Sequence, residues 1–402
     1  MYSFHMNPPE TQIVVVGGAG HVGLPLCLVL AEAGFKVIAF DTSVQNVNLV
    51  NSGVMPFMDA GAPKLLLDCI SNGNFSATCD KNSIKDADIV IVVIGTPVDE
   101  YLSPNPNELV DLVEDLTSYM NQDQLLILRS TIFPGVSRRI MAKTSERFPG
   151  IKIAYCPERI IEGNAISELK SLPQIVGGID ETSSKAAAEI FEKLGSEIIY
   201  TSPEEAELAK IFTNVWRYIK FATANQFWMM STELNIDFEK VRYALSHNYP
   251  RASDMPHAGF TAGPCLFKDT MQLGSLSHES FALGHSAMLI NEGIPSYIVY
   301  KISQNYDISK LRIGILGSAF KAEIDDNRSS LAYKLRKLLL FKAKEVRMCD
   351  PFVIDSKLVG LDEVLSNSDL LIIGAPHKEY NDLEIGIPII DIWGLSGRSV
   401  LI

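Results

Sequence analysis

The sequence predicts an α/β protein made of two doubly wound domains separated by a helical segment. Three observations lead there. Short apolar runs ending in glycine, proline or an acid alternate with amphipathic stretches through the first half of the chain, and the same alternation returns in the last quarter. From Pro203 onward the apolar residues instead recur at helical spacing, and each α/β half opens on a strand that runs directly into a glycine turn.

In chain order, Thr11-Gln-Ile-Val-Val-Val-Gly17-Gly18-Ala-Gly20-His21-Val22-Gly23-Leu-Pro-Leu reads as a buried strand, a tight turn and a helix start, with the helix running to about Gly34. A second strand, Lys36-Val-Ile-Ala-Phe-Asp41, ends on an acid 18 residues after Gly23. In Gly18-x-Gly20-x-x-Gly23 the first glycines admit the turn and a close pyrophosphate, the last lets helix pack on strand, and His21 and Val22 lie inside the same turn. Asp41 is positioned to accept from adenosine ribose hydroxyls, which favours NAD over NADP as cofactor.

Further strands of a parallel sheet are expected at Ile89–Ile94, running into Gly95-Thr96-Pro97, and at Leu125–Leu128, running into Arg129-Ser130-Thr131. Ligands of such sheets gather at the carboxyl ends of the strands, so Thr96, Ser130 and Thr131 are candidate cofactor contacts, although hydroxyls there also serve as helix caps. Ile153-Ala-Tyr-Cys-Pro157-Glu158-Arg159 and Gln174–Gly178 extend the pattern, and Glu197-Ile-Ile-Tyr200 closes it. A first, Rossmann-like domain therefore spans 1–200.

The helical segment spans 201–295. In it Lys210 and Asn214 are four apart, which sets an ammonium and an amide on one helix face. Long apolar helices at the middle of a chain suit a dimer interface, so a homodimer is the expected assembly. A second Rossmann-like unit, 296–402, opens at Lys310-Leu-Arg-Ile-Gly314-Ile-Leu-Gly317-Ser-Ala-Phe320-Lys321 and continues through an amphipathic helix to about Phe341. Strands follow at Glu345–Asp350, Asp369–Gly374 and Ile387–Asp391. Lys321 and Arg328 stand near its phosphate-facing turn, where two cations suit an anionic ligand such as a nucleotide diphosphate.

Composition narrows the class. The chain has 402 residues, 47% hydrophobic and 21% charged, enough for more than one core. A formal charge of -13 argues against nucleic acid as a partner. No apolar run is long enough to span a bilayer, and the polar start lacks signal-peptide order, so the expected location is cytoplasmic with no membrane partner. No long regulatory extension is expected after Ile389–Gly394. Six cysteines (27, 69, 79, 156, 265 and 349) form no C-x-x-C pair, so neither a metal site nor a disulfide framework is indicated.

The most informative segment is Gly259-Phe260-Thr-Ala262-Gly263-Pro264-Cys265-Leu-Phe267-Lys268-Asp269. It sets a thiol in a Gly/Pro turn just before a helix start and a lysine, the surroundings that lower a thiol pKa. A dinucleotide fingerprint together with such a cysteine points to oxidation through a covalent thio-intermediate.

These blocks together resemble the UDP-glucose/GDP-mannose dehydrogenase family of nucleotide-sugar 6-dehydrogenases. The resemblance covers nearly the whole chain and rests on Gly18–Gly23, Gly95-Thr96-Pro97, Ser130-Thr131, Pro157-Glu158-Arg159, Lys210 with Asn214, and Gly263–Asp269, in that order. The block Ser318-Ala319-Phe320-Lys321 with Asp325-Asp326 and Arg328 adds a seventh. It implies an NAD-dependent, four-electron oxidation of a sugar C6 hydroxyl to a carboxylate, with two NAD consumed per turnover. Lys210, Asn214 and a water held by Asp269 would stabilise the developing alkoxide, and Cys265 would add to the aldehyde, be oxidised to a thioester and be released by water. Glu158 is the base or the orienting group of that last step; whether it or Asp269 activates the water stays open.

By position the resemblance also assigns Glu162 to the cofactor and Arg251 to the substrate of a partner subunit, which makes the active site span the dimer. Gly263 and Lys268 of the cysteine loop, with Phe320, Lys321 and Arg328, fall to the substrate; Lys268 is also open to a structural role, and Phe260 either flanks the nucleotide sugar or sits in the core. Ala262-Gly263-Pro264-Cys265 matches neither the Gly-Gly-His-Cys of N-acetylhexosamine enzymes nor the Gly-Ser-Cys of glucose enzymes. The expected substrate is accordingly a UDP-N-acetylhexosamine or UDP-glucose, with dTDP-linked and GDP-linked hexoses behind them. Two alternatives have distinct signatures. A single-step β-hydroxyacid dehydrogenase shares the first domain and the Lys/Asn pair but needs neither Cys265 nor a second nucleotide domain, and a non-catalytic sugar-nucleotide-binding protein would not need the full constellation.

Overall fold

A computed structural model describes residues 7–96, 106–261, 263–276, 281–381, 383 and 386–395. Pro97 and Ala262 of the motifs above lie outside them. The chain divides into two compact units, Met1–Phe212 and Thr213–Ile402.

The first unit runs β1 (Gln12–Val16), α1 (Gly23–Glu32), β2 (Lys36–Phe40), α2 (Val44–Asn51), α3 (Ala62–Ser71), β3 (Phe75–Thr78), β4 (Ile89–Val92), α4 (Pro106–Leu116), β5 (Leu125–Leu128), α5 (Val136–Arg147), β6 (Lys152–Tyr155), α6 (Ala165–Ser171), β7 (Gln174–Gly178), α7 (Glu181–Glu192) and β8 (Ile198–Tyr200). Its eight strands lie in the order β3-β2-β1-β4-β5-β6-β7-β8. The first six reproduce the dinucleotide-binding order, with the switch point between β1 and β4. Alternate side chains feed two cores: Ile13 and Val15 enter one, Val14 and Val16 the other, so β1 is buried on both faces as a near-continuous apolar run requires.

One orientation differs from the uniformly parallel sheet expected from the sequence. β7 pairs antiparallel with β6 through Ala154↔Gly178 and Tyr155↔Gly177, and then parallel with β8. The apolar pattern of Gln174–Gly178 is the same in either direction, so the sequence pattern carries no sign for it.

The division between the units falls inside α8 (Pro203–Glu233), a helix of 31 residues. The second unit continues with α9 (Phe238–Ser246), α10 (Leu266–Leu276) and α11 (Ala282–Asn305), then β9 (Arg312–Leu316), α12 (Leu331–Leu340), β10 (Glu345–Cys349), α13 (Leu361–Ser366), β11 (Leu370–Ile373) and β12 (Ile389–Ile390). The segment boundary expected after Pro295 falls inside α11, which carries that proline within it and continues to Asn305. The sheet order is β10-β9-β11-β12, all parallel. Ile313 and Ile315 pack with Trp228, Ile294 and Ile298 on one face, while Leu316, Leu371 and Ile373 fill the other. The central helices and the second sheet thus share one core, which is why they form one unit.

Candidate active site

In the first unit the turn after β1 is built for a close approach. Gly17 has φ +82°, and a Cβ on Gly23 would lie 2.1 Å from Gly17 O, so only glycine lets the start of α1 press onto the turn. Asp41, just past β2, braces it: Oδ2 accepts from Ala19 N at 3.1 Å and Oδ1 from Ser43 N at 2.9 Å. Each carboxylate oxygen keeps a further acceptor site, as a ribose diol requires. Gly20 and Val22 are half-buried in the same turn, and His21 stacks on Phe57 with centroids 4.2 Å apart. These residues fit NAD. Gly17 was not singled out from the fingerprint, although its doubling with Gly18 was the available signal.

Thr96 and Thr131, both half-buried, join the ends of β4 and β5: Thr96 Oγ1 donates to Thr131 O at 2.5 Å. Ser130 is buried, its Oγ accepting from Ile94 N at 2.9 Å. The Ser130 and Thr96 hydroxyls therefore shape the rim through protein bonds. Glu207 of α8, fully buried, accepts from Gly135 N at 2.7 Å and Ser137 N at 2.8 Å, taking the orphan donors at the N-terminus of α5. Nothing in its helical spacing marked it.

Glu158 follows β6. Its carboxylate pairs with the fully buried guanidinium of Arg129 and accepts from Arg159 N at 2.7 Å and Ile160 N at 3.1 Å. Arg129 also donates to Gln174 Oε1 from both terminal nitrogens and lies over the ring of Phe191. Glu162 is half-buried in the turn before α6.

In the second unit Cys265 is exposed at the position preceding α10, and its carbonyl accepts from Asp269 N at 2.9 Å, the first bond of the helix. The positive end of α10 is therefore at the thiol's own backbone. Burial pushes the thiols of Cys156 and Cys349 up to about 12 and that of Cys69 up to about 11, and it raises Cys27 further. Those four are buried, leaving Cys265 and Cys79 as the exposed thiols.

One turn into α10, Asp269 is fully buried. Its Oδ2 accepts from Asn214 Nδ2 at 2.6 Å, and its Oδ1, 3.3 Å from Lys268 Nζ, has no hydrogen-bond partner among the described residues. The structure thus brings Asn214 and Asp269 together, with half-buried Lys210 one turn earlier on α8. Lys268, half-buried, makes an ion pair with the Asp269 carboxylate. Phe260, 4% exposed, is edge-on to Trp393 and packs in the core of the second unit. Gly263, at φ +104°, lies under half-buried Phe320: a Cβ there would come within 2.9 Å of the ring. Lys321 is half-buried; Arg328 is exposed and forks onto both oxygens of Asp326; Arg251 is exposed beside Tyr249, its Nη1 3.3 Å from the phenol oxygen.

A residue missed in the sequence mirrors Asp41. Asp350, just past β10, accepts from Ser318 N at 2.6 Å, Ala319 N at 2.9 Å and His377 Nε2 at 3.1 Å. Burial works against its ionisation, but the bonds from His377 and the backbone of Ser318 and Phe352 outweigh it and hold the carboxyl well below the usual range. The signal was present: the second strand of each α/β half runs into an acid.

A dinucleotide turn in one unit, and an exposed cysteine at a helix start with a buried amide–carboxylate pair in the other, define an NAD-dependent oxidoreductase. Comparison with known proteins makes the class specific. The NAD binding domain of the UDP-glucose/GDP-mannose dehydrogenase family matches residues 11–195, its central domain 204–293 and its UDP binding domain 314–390. The chain belongs to the UDP-glucose/GDP-mannose dehydrogenase family and is a nucleotide-sugar dehydrogenase that uses NAD. It is 30% identical to the UDP-N-acetyl-D-mannosamine dehydrogenase of Methanocaldococcus jannaschii over 92% of this chain and 87% of that one. It is 27% identical to the Pyrococcus horikoshii enzyme of the same name over 96% and 93%. The solved structure of the P. horikoshii UDP-D-ManNAc dehydrogenase superposes with a TM-score of 0.86 over 94% of this chain and 93% of that one, at 26% identity. A UDP-glucose dehydrogenase from Pyrobaculum islandicum shares the fold, with a TM-score of 0.88, 21% identity and coverage of 97% and 96%. Among the described residues no helix is long and apolar enough to cross a membrane.

Proposed function

We propose that this protein oxidises the C6 hydroxyl of UDP-N-acetyl-D-mannosamine to the carboxylate through a thioester on Cys265. The observation that carries the chemistry is the exposed Cys265 at the start of α10, four residues before a buried Asp269 bonded to Asn214. The sugar is inferred from the relatives, several of which are named UDP-N-acetyl-D-mannosamine dehydrogenase and match over more than nine-tenths of this chain.

NAD, when bound in the Gly17–Gly23 turn and braced by Asp41, supplies the hydride acceptor for both oxidations. The protein's residues do the rest. Asn214 Nδ2 and the ammonium of Lys210 are donors for a developing alkoxide at C6, and Asp269 Oδ1 retains acceptor capacity for the proton or for a water. The Cys265 thiolate adds to the aldehyde carbon to form a C–S bond; loss of hydride from that carbon gives a thioester; water then breaks the C–S bond, releasing the acid and restoring the thiol. Glu158, its carboxylate engaged by Arg129 and two backbone N–H groups, has the geometry of an orienting group, so Asp269 is assigned to activate the water. Lys321 and Phe320, in the turn after β9, are assigned to the nucleotide half of the substrate, and Arg251 to a substrate held by a partner subunit.

The assembly is inferred to be a homodimer. Trp216, Phe227 and Met230 form a stripe along α8 at spacings of eleven and three, with Leu234 in the turn just past its end, each between 42% and 69% exposed. Met230→Glu is expected to yield a monomer in sedimentation, and an unchanged mass would remove that stripe from the interface. Cys265→Ala tests the function: acid formation is expected to vanish while NAD still binds, and undiminished acid formation would overturn the reading.

A further inference from the structure

The loop that leads to Cys265 is tied to the helical core by two buried amides outside every site motif. Asn225 of α8 is 1% exposed and Asn291 of α11 is fully buried. Gly259 N donates to Asn225 Oδ1 at 2.9 Å; Asn225 Nδ2 donates to Asn291 Oδ1 at 2.9 Å and to Thr261 Oγ1 at 3.3 Å; Asn291 Nδ2 donates to Tyr218 O at 3.1 Å. The backbone N–H at one end can only donate and the carbonyl at the other can only accept, which fixes the orientation of both amides. Two buried amides carry a desolvation cost that an apolar pair would avoid, so burial alone does not account for them. What an apolar pair cannot do is satisfy the buried N–H of an irregular loop. Gly259 is held there on its other side as well, since a Cβ would lie 2.2 Å from the Trp393 ring.

We propose that Asn225 and Asn291 act as positioning residues for Cys265, a directional amide relay that fixes Gly259–Thr261 and so holds the thiol at the start of α10. The inference rests on Cys265 being the nucleophile, but its test does not require turnover. In the full chain carrying Cys79→Ser, the rate at which iodoacetamide modifies Cys265 is followed by peptide mass for Asn225→Ala, Asn291→Ala and the double variant. Because the relay acts as one unit, each single change is expected to slow alkylation about tenfold, and the double change by no more than either alone. Turnover should show kcat lowered by a similar factor with the KM for NAD unchanged.

Thr261→Val, which removes only the side branch, should stay within about twofold of the parent. If Asn225→Ala does not fold, Asn225→Asp carries the test: it keeps the shape and the acceptor for Gly259 N but loses both donated bonds, and alkylation should slow at least threefold, roughly half the logarithmic effect. Alkylation at the parental rate, or single effects that multiply in the double variant, would overturn the relay. Neither result would touch the assignment of Cys265 as nucleophile, which Cys265→Ala decides separately.

Discussion

Removing the Glu158 carboxylate separates a structural from a chemical role for the Pro157-Glu158-Arg159 turn. The Arg129 side chain is completely buried and that of Glu158 is 8% exposed. Glu158→Ala leaves a guanidinium without its counter-charge inside the first unit, with Gln174 Oε1 and the Phe191 ring as its remaining partners. Breaking a buried pair in this way costs about 3–5 kcal/mol, because the remaining charge stays buried. At about 2–4 °C per kcal/mol for a unit of this size, the melting transition should fall by roughly 6–20 °C. Glu158→Gln should be destabilising too, because an amide either turns its N–H groups toward the guanidinium or gives up the two backbone donors. Arg129→Met with Glu158→Ala removes the stranded charge and should recover about half of the loss. Differential scanning calorimetry on the four proteins, alongside NADH release, decides it. Glu158→Ala melting within about 1 kcal/mol of the parent while abolishing turnover would put Glu158 in the chemistry and refute the orienting role.

Three further outcomes follow from the geometry. Gly23→Ala drives a methyl to 2.1 Å from Gly17 O, so the Kd for NAD in calorimetric titration should rise at least about tenfold, and unchanged affinity would contradict the turn as its site. Asp269→Asn should lower kcat by about 100-fold or more with NAD affinity preserved, the range for removing a positioned proton acceptor; a full-speed variant would dismiss it. Asp350 and Asp369 both have folded pKa values below the ordinary 3.8, Asp369 near 2 chiefly through the side-chain bond from Arg312 and Asp350 through His377 and backbone donors against the cost of burial. A depressed carboxyl stabilises the fold above its unfolded value and loses that contribution as pH falls through the folded one. Urea midpoints of the second unit should therefore be flat above about pH 5 and fall between about pH 4 and 2. Asp350→Asn should flatten most of that slope, since Asp369 is more than one-third exposed and screened.

Elements with a strong local signature were legible in the chain. The strand, turn, helix, strand and acid of residues 11–41 form contiguous blocks, and the long period from Pro203 is a helix to Glu233. The cysteine loop was legible for the same reason. What escaped depends on pairings far apart in sequence or on direction. Arg129 meets Glu158 across 29 residues and Asn225 meets Asn291 across 66, and each looks ordinary in its own segment. Phe260 read as a ligand of the nucleotide sugar or, more commonly at that spacing, a core aromatic, and its edge-on contact with Trp393 depends on a residue far along the chain.

A covalent intermediate on Cys265 is tested most directly by the count of NADH formed per UDP-N-acetyl-D-mannosamine consumed, in the parent and in Cys265→Ala. Two NADH per sugar in the parent, with no acid and at most one NADH per sugar in the variant, is the expected result. One NADH per sugar in the parent, or two in the variant, would contradict the thioester.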